Sequence, residues 1–339
     1  MKILVLYREL ADYMVNCLNQ LQNQIQVTVV HYATNKEAPF QFTWNPNIIR
    51  FEKDKLKLEQ LQIHEFDAIM ISGWADNEYM AVIKRFSGTK ILMFDTPWEN
   101  KIRHHIGSIY FNMKLKKHFH FAFVPGVSQV KFAQKIGFAQ THIRTGLYTA
   151  ANEIVTTINK SYRSKSLWCV CRYVPQKNLK FLWNCFLQSK GVELGWKLHC
   201  AGTGEGWNDR VQDDNIIHHG FLQPITLNEE LENATAFVLP STQEPWGVVV
   251  HECAKKSLPL LLSKAIHSHK HFLIHSQNGF LFDPKNESEL IGAMNSLFEK
   301  TEMELIEMGK ISLERSHEIS VKNWINNIMY FLSSNHVRN

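Results

Sequence analysis

Short apolar runs recur along the chain at positions 2–7, 26–31, 67–72, 90–95 and 120–125, and again at 166–172, 196–202, 215–219, 234–240, 258–263 and 279–282. Runs of this length, bounded by turn residues, predict strands buried on both faces. Between them, apolar residues fall at helical spacing, as at 11–21 and 77–86 in the first half and at 178–189, 247–256, 287–300 and 321–332 in the second. Strands alternating with helices argue βαβ units and parallel sheets. The pattern runs twice, so the chain is expected to be an α/β protein of two doubly wound domains. The expected boundaries are 1–150, a polar Ser- and Thr-rich linker at 151–165, a second domain at 166–315, and a C-terminal helix at 316–339 that packs back on the first domain. Ligands of such sheets bind beyond the carboxyl ends of the strands. Informative residues are therefore sought just after strands, in a cleft between the domains.

Composition narrows the class. The 339 residues are 45% hydrophobic and 20% charged, ordinary for a globular enzyme and unlike a disordered chain. No stretch approaches the ~18 apolar residues of a membrane-spanning helix. The apolar start, Lys2 to Tyr7, is cut short by Arg8 and Glu9 and reads as a first strand, not a secretory leader. The six cysteines are scattered with no C-x-x-C pair, so a zinc or dithiol site is not supported. They read as small buried hydrophobes of a cytoplasmic protein, with Cys169 and Cys171 on the same face of a strand.

Charge is uneven. Residues 1–150 hold 18 Lys+Arg against 12 Asp+Glu, and the remainder 19 against 20. From Asn100 to Asn152 there is no acidic residue, while Lys101, Arg103, Lys114, Lys116, Lys117, Lys131, Lys135 and Arg144 all fall within that span. Two readings stand: a patch that attracts anions, phosphates or acidic lipid headgroups among them and so an acidic membrane surface, or a solvated basic face beside a buried strand. Nucleic acid is not expected, since no helix-turn-helix, RRM or zinc-finger pattern is present.

The candidate chemistry follows strands of the second half. Arg172-Tyr-Val-Pro-Gln-Lys177 sets two cations at a strand end ahead of a helix, which suits a diphosphate. Ala201-Gly-Thr-Gly-Glu205 is a Gly-x-Gly turn at Gly202 and Gly204. It is neither a dinucleotide fingerprint nor a P-loop. It allows either close backbone approach to a ligand or a tight strand-to-helix turn. Val238-Leu-Pro-Ser-Thr-Gln-Glu244-Pro-Trp-Gly-Val-Val-Val-His-Glu252 carries two carboxylates around a helix start at Gly247. The first amides of that helix are orphan donors suited to an anion, whereas Glu244 and Glu252 suit hydroxyls. The competing reading is a capping Glu244 and an exposed helical Glu252. In the first half, Phe94-Asp95-Thr-Pro-Trp-Glu99 follows a strand, so Asp95 is either a turn residue or an acceptor-orienting group, with His104 or His105 assisting.

Taken in order, Arg172…Lys177, Gly202-Thr-Gly204, His219-Gly-Phe-Leu222 and Pro240-Ser-x-x-Glu244-x7-Glu252 resemble the nucleotide-sugar half of retaining GT-B glycosyltransferases, family 4 (group 1). Ser276-Gln-Asn-Gly-Phe-Leu-Phe-Asp283 resembles a later strand of that family. The first-half match rests on Val124-Pro-Gly126 and residues 143–148. The resemblance implies a GT-B fold of two Rossmann-like domains whose parallel sheets face a central cleft. It implies transfer of a hexose-type sugar from a UDP- or GDP-sugar to a glycan or lipid-linked acceptor, as in surface polysaccharide or lipopolysaccharide assembly. Arg172 and Lys177 would hold the diphosphate, Glu244 the sugar and Glu252 the ribose. The Trp246, Gly247 and Val248 backbone would lie near the phosphates, and Gly220, Phe221 and Leu222 near the base. No D-x-D motif precedes Arg172, so metal independence is expected, with no cofactor beyond the donor. Two departures stand out. Tyr7-Arg-Glu-Leu10 replaces the family's Gly-Gly pair, and the His-rich 265–271 replaces a small residue. A non-catalytic nucleotide-sugar-binding scaffold and a GT-B-like nucleotide-sugar epimerase are the alternatives.

Overall fold

A computed structural model describes residues 1–35, 39–151 and 164–334. The predicted linker at 151–165 lies outside the described residues except at its ends. The described chain divides into two compact units, one formed by Met1–Ala151 with Ile319–Asn339, the other by Asn152–Glu318.

In the first unit the strands are β1 (Lys2–Tyr7), β2 (Gln26–His31), β3 (Ile49–Glu52), β4 (Ala68–Ser72), β5 (Thr89–Met93), β6 (Phe121–Val124) and β7 (Ile143–Thr145). Among the described residues they form one sheet in the order β3-β2-β1-β4-β5-β6-β7. Every pairing is parallel, as in Lys2 opposite Gln26 and Ile3 opposite Ala68. The order steps outward in both directions from β1 and β4, which is the doubly wound topology.

The pleat explains the two-sided burial. Ile3, Val5 and Tyr7 face one core layer, shared with Met14 and Leu18 of helix α1 (Asp12–Leu21). Leu4 and Leu6 face the other, shared with Tyr79, Val82 and Ile83 of α2 (Asn77–Arg85). The helices α3 (Ile102–Tyr110) and α4 (Val127–Lys135) follow β5 and β6. The C-terminal helix α11 (Val321–Ser334) packs Trp324, Ile328 and Phe331 into the layer that contains α1. The Trp324 indole Nε1 donates to the Leu147 carbonyl at 3.0 Å. That bond satisfies the polar atom of a fully buried ring.

The second unit repeats the plan with β8 (Ser166–Val170), β9 (Lys197–Ala201), β10 (Ile216–Gly220), β11 (Ala236–Leu239), β12 (Leu260–Ser263) and β13 (Gly279–Phe282). The sheet order is β10-β9-β8-β11-β12-β13, again parallel throughout. Its helices are α5 (Leu179–Gln188), α6 (Pro224–Glu232), α7 (Val248–Lys255), α8 (His269–Phe272), α9 (Glu287–Phe298) and α10 (Glu302–Ser316). Helix α10 opens with a full capping box, Thr301 and Glu304 each bonding the other's backbone amide. Among the described residues, no helix is long and apolar enough to cross a membrane.

Candidate functional site

The switch in strand order of the second unit falls between β8 and β11, so the loops after these two strands meet at the carboxyl end of the sheet. The β8 loop carries Arg172 and Lys177, and the β11 loop carries Glu244. Lys177 Nζ and the Glu244 carboxylate form an ion pair, with side chains 14% and 12% exposed. Arg172 is exposed, and its side chain has no ion pair or hydrogen bond among the described residues. The structure thus brings Lys177 and Glu244 together and leaves the guanidinium in solvent.

Backbone bonds fix this arrangement. The Thr242 amide donates to the Gln176 carbonyl at 2.9 Å, tying the β11 loop to the β8 loop. Asn178, in the left-handed conformation at φ 59°, donates from its side-chain amide to the Pro284 carbonyl at 2.8 Å and to the Pro240 carbonyl at 3.4 Å. Glu244 is held by the segment after β12: its amide donates to Ala265 at 3.2 Å, and its carbonyl accepts from the His267 amide at 3.2 Å. Sequence reasoning treated the His-rich stretch as a departure in side chains. The structure uses its backbone to pin Glu244. His269 and His271 are instead pushed toward the neutral form by burial, His271 to a pKa of about 4.

Helix α7 begins directly behind Glu244. Gly247 stands before it at φ 81°, and an added Cβ would come 3.1 Å from Glu244 Cγ. A side chain there would strain the backbone and crowd the carboxylate. No side chain caps α7. Its first-turn amides, including Val248 and Val249, therefore have no helical acceptor. Glu252 is half-buried, one turn further along α7. The Trp246 side chain is 2% exposed and packs beside His271 and Phe272, so only its backbone is available to a ligand.

Gly202 and Gly204 follow β9, at φ 133° and 154°. A Cβ on Gly202 would lie 1.9 Å from the Cys171 carbonyl oxygen, and one on Gly204 2.7 Å from that of Tyr173. These glycines are demanded by the neighbouring β8 loop itself. The loop is stitched to them by Tyr173 N to Thr203 O at 2.9 Å and Gly206 N to Tyr173 O at 2.9 Å. Gly220 ends β10 at φ 72°, and its carbonyl accepts from the Gly202 amide at 2.7 Å. Phe221 and Leu222, half-buried, follow it at the sheet edge.

Sequence reasoning missed the aromatic and histidine support beneath this edge. Trp168 stacks on His199 and His219 at 4.7 and 4.8 Å, and the two imidazoles bond each other at 3.0 Å. Burial lowers the His199 pKa to about 4. Cys169 and Cys171 Sγ lie 3.9 Å apart on one face, as the alternation predicts. Among the described residues, no three His, Cys, Asp or Glu side chains gather as a metal site.

In the first unit, Asp95 follows β5 and is half-buried. Its carboxylate lies close enough to Tyr7, Tyr13 and Tyr148 to help raise the pKa of each, after burial itself. This tyrosine cluster was not anticipated from sequence. His104 is 7% exposed, stacks on Phe132 at 5.4 Å, and accepts from the Glu99 amide at 3.1 Å. It serves packing. His105 bonds Asn100 at 2.8 Å.

Two parallel, doubly wound sheets of this topology are the architecture of the GT-B class. Residues 164–300 match the model of the family described as glycosyl transferases group 1. Among solved structures, sucrose-phosphate synthase from Thermosynechococcus elongatus is similar over 100% of both chains, with TM-score 0.72 and 14% identity. The lipopolysaccharide outer core galactosyltransferase WaaB is similar over 97% of this chain and 99% of its own, with TM-score 0.66 and 15% identity. A point mutant of S. aureus TarM, in complex with fondaparinux, alpha-GlcNAc-glycerol and UDP, matches 81% of this chain with TM-score 0.65 and 14% identity. The chain spans 57% of the length of that TarM structure. No curated protein sequence matches. The chain therefore has the GT-B fold, and within it residues 164–300 match the group 1 glycosyltransferase model.

Proposed function

We propose that this protein is a retaining, metal-independent glycosyltransferase that moves a hexose from a UDP-sugar to a glycan or lipid-linked acceptor. The observation that carries the reading is the Lys177–Glu244 pair, set beside the uncapped N-terminus of α7. A cation and helix amides suit the diphosphate, and a carboxylate suits sugar hydroxyls. UDP is favoured over GDP because the TarM complex contains it. A lipid- or polysaccharide-linked acceptor is favoured by the likeness to a lipopolysaccharide galactosyltransferase.

As the glycosyl–phosphate bond loosens, negative charge grows on the departing diphosphate. Arg172, Lys177 and the α7 amides would stabilise that charge, which is electrostatic preorganisation. These cations would supply what a divalent ion supplies elsewhere. Glu244 holds the transferred sugar, and Glu252 accepts from the ribose hydroxyls. With retention, the acceptor attacks on the face the diphosphate leaves, and a phosphate oxygen takes its proton. Asp95 of the first unit orients the acceptor hydroxyl.

Arg172→Ala and Glu244→Ala should each lower transfer or donor hydrolysis about 100-fold or more, on the scale of one lost electrostatic contact to a transition state. Arg172 is exposed, so its variant should keep the wild-type melting temperature. Undiminished turnover in both variants removes the assignment. Tight UDP binding with no transfer or hydrolysis across an acceptor panel would make the chain a scaffold, and release of a free epimer without acceptor would make it an epimerase.

A further inference from the structure

Helix α3 and the π-helical turn that continues it, Phe111–Leu115, carry two opposed stripes. The inner stripe is His104, Ser108 and Phe111, at 7%, 7% and 0% exposure. The outer one is Ile102, Ile106, Ile109, Tyr110 and Met113, at 78%, 63%, 61%, 57% and 70%. Scattered exposed apolar residues are normal on a protein, but a continuous row of them is not. Here five large apolar side chains lie on one face over three turns, a row about 17 Å long at 1.5 Å per residue. Packing against the chain's own core does not account for them, because the core takes the opposite face.

The charges beside the row indicate what covers it. Lys114 and Lys117 are exposed. Arg103 and Lys101, also exposed, neutralise Glu99 at 3.6 and 2.7 Å. No acidic residue occurs from Asn100 to Asn152. A second copy of this chain seated on the row would bring like charges together. An anionic headgroup layer would meet the lysines and arginine while accepting the apolar row between them, which is the arrangement of a helix lying in a membrane interface.

We propose that the outer face of α3 and its π-helical extension is a membrane-docking surface for an anionic lipid bilayer, with Ile102, Ile106, Ile109 and Met113 entering the headgroup boundary. This does not depend on the transfer reading. It is measured without nucleotide, so a protein that docks but transfers nothing fails only the other proposal.

The test is co-sedimentation of the full chain with phosphatidylcholine vesicles, with and without phosphatidylglycerol. Wild type should partition at least about ten-fold more strongly onto the anionic vesicles, and less as salt rises. Ile106→Asn with Ile109→Asn should lose about ten-fold or more on anionic vesicles at an unchanged melting temperature, since both side chains already face water. Lys114→Gln with Lys117→Gln should lose the preference for anionic lipid. Equal partitioning of wild type and the isoleucine variant, equal binding to neutral vesicles, or no binding overturns the proposal. A wild-type dimer that the isoleucine variant dissolves would assign the face to a second copy and also overturn it.

Discussion

Glu244→Gln is expected to tighten UDP while weakening the grip on a UDP-sugar. Without ligand, the carboxylate holds Lys177 in a pair whose side chains are only 14% and 12% exposed. A diphosphate must share that ammonium and must also sit near the carboxylate. Two charges about 6 Å apart in surroundings of effective dielectric about 20 repel by roughly 2–3 kcal/mol, which counter-ions reduce. Removing the carboxylate charge should therefore gain ~1–2 kcal/mol for UDP, about 5- to 30-fold in Kd. For the UDP-sugar, the glutamine also forfeits a charge-assisted bond to a hydroxyl, worth roughly 1.5–3 kcal/mol, so the gain is cancelled or reversed. Lys177→Met should weaken UDP about 10- to 100-fold and leave a carboxylate without its cation. Adding Glu244→Gln to it should recover part of the loss, because the two side chains touch and their effects cannot be additive. Isothermal titration of UDP and a UDP-sugar against the four proteins reads all of this. Weaker UDP binding by Glu244→Gln, or additive effects in the double variant, would refute the electrostatic reasoning.

Two further outcomes concern the scaffold that holds the pair. Gly202→Ala places a Cβ 1.9 Å from the Cys171 carbonyl oxygen at φ 133°, so the β8 and β9 loops must move apart. We expect a loss of ~3 kcal/mol or more in urea unfolding, and wild-type stability would show that the loops yield freely. His251 is fully buried, stacks on Phe272 at 4.6 Å and bonds the Ser316 carbonyl at 2.9 Å. Burial, followed by the nearby Lys255 charge, lowers its pKa from 6.5 to about 3. The unfolded chain therefore binds this proton more readily than the folded one. Its contribution is complete above about pH 6.5 and is lost as pH falls toward about 3, at about 1.4 kcal/mol per unit. Unfolding free energy followed against pH should show that slope in wild type and a shallower one in His251→Leu, and equal slopes would refute it.

The strands legible in the sequence are the ones buried on both faces, such as β1 and β4, where no polar residue interrupts the apolar run. Strand β3 escaped notice because it lies at the sheet edge: Ile49 and Arg50 are exposed, and its IRFE sequence has no apolar run. Within the candidate site, Arg172, Lys177, Glu244 and Glu252 stand out in the sequence because they are charged residues in a loop or early helix after a strand. The segment that pins Glu244 was not readable, since a backbone bridge to residues 265–267 leaves no mark on side-chain pattern. Gly202 reads as a turn residue or a place of close backbone approach, and the neighbouring loop accounts for its conformation. A Cβ there would lie 1.9 Å from the Cys171 carbonyl oxygen, a demand of the β8 loop that side-chain pattern does not record.

The loop after β8 is bonded to the loop after β9 through Tyr173 and to the loop after β11 through Gln176. The β11 loop is in turn bonded to the segment after β12 through Glu244, and Asn178 bridges Pro240 and Pro284. Four strand ends are thus tied by main-chain contacts before any ligand arrives, so little conformational entropy remains to be lost there on binding. What stays adjustable is side-chain charge: the exposed Arg172 and the Lys177 ammonium now held by Glu244. In such a frame, selectivity between a bare diphosphate and one carrying a sugar rests on which anion Lys177 serves. Under the proposed function, the carboxylate would then be more than a sugar contact, because it would also keep free nucleotide from occupying the site too tightly.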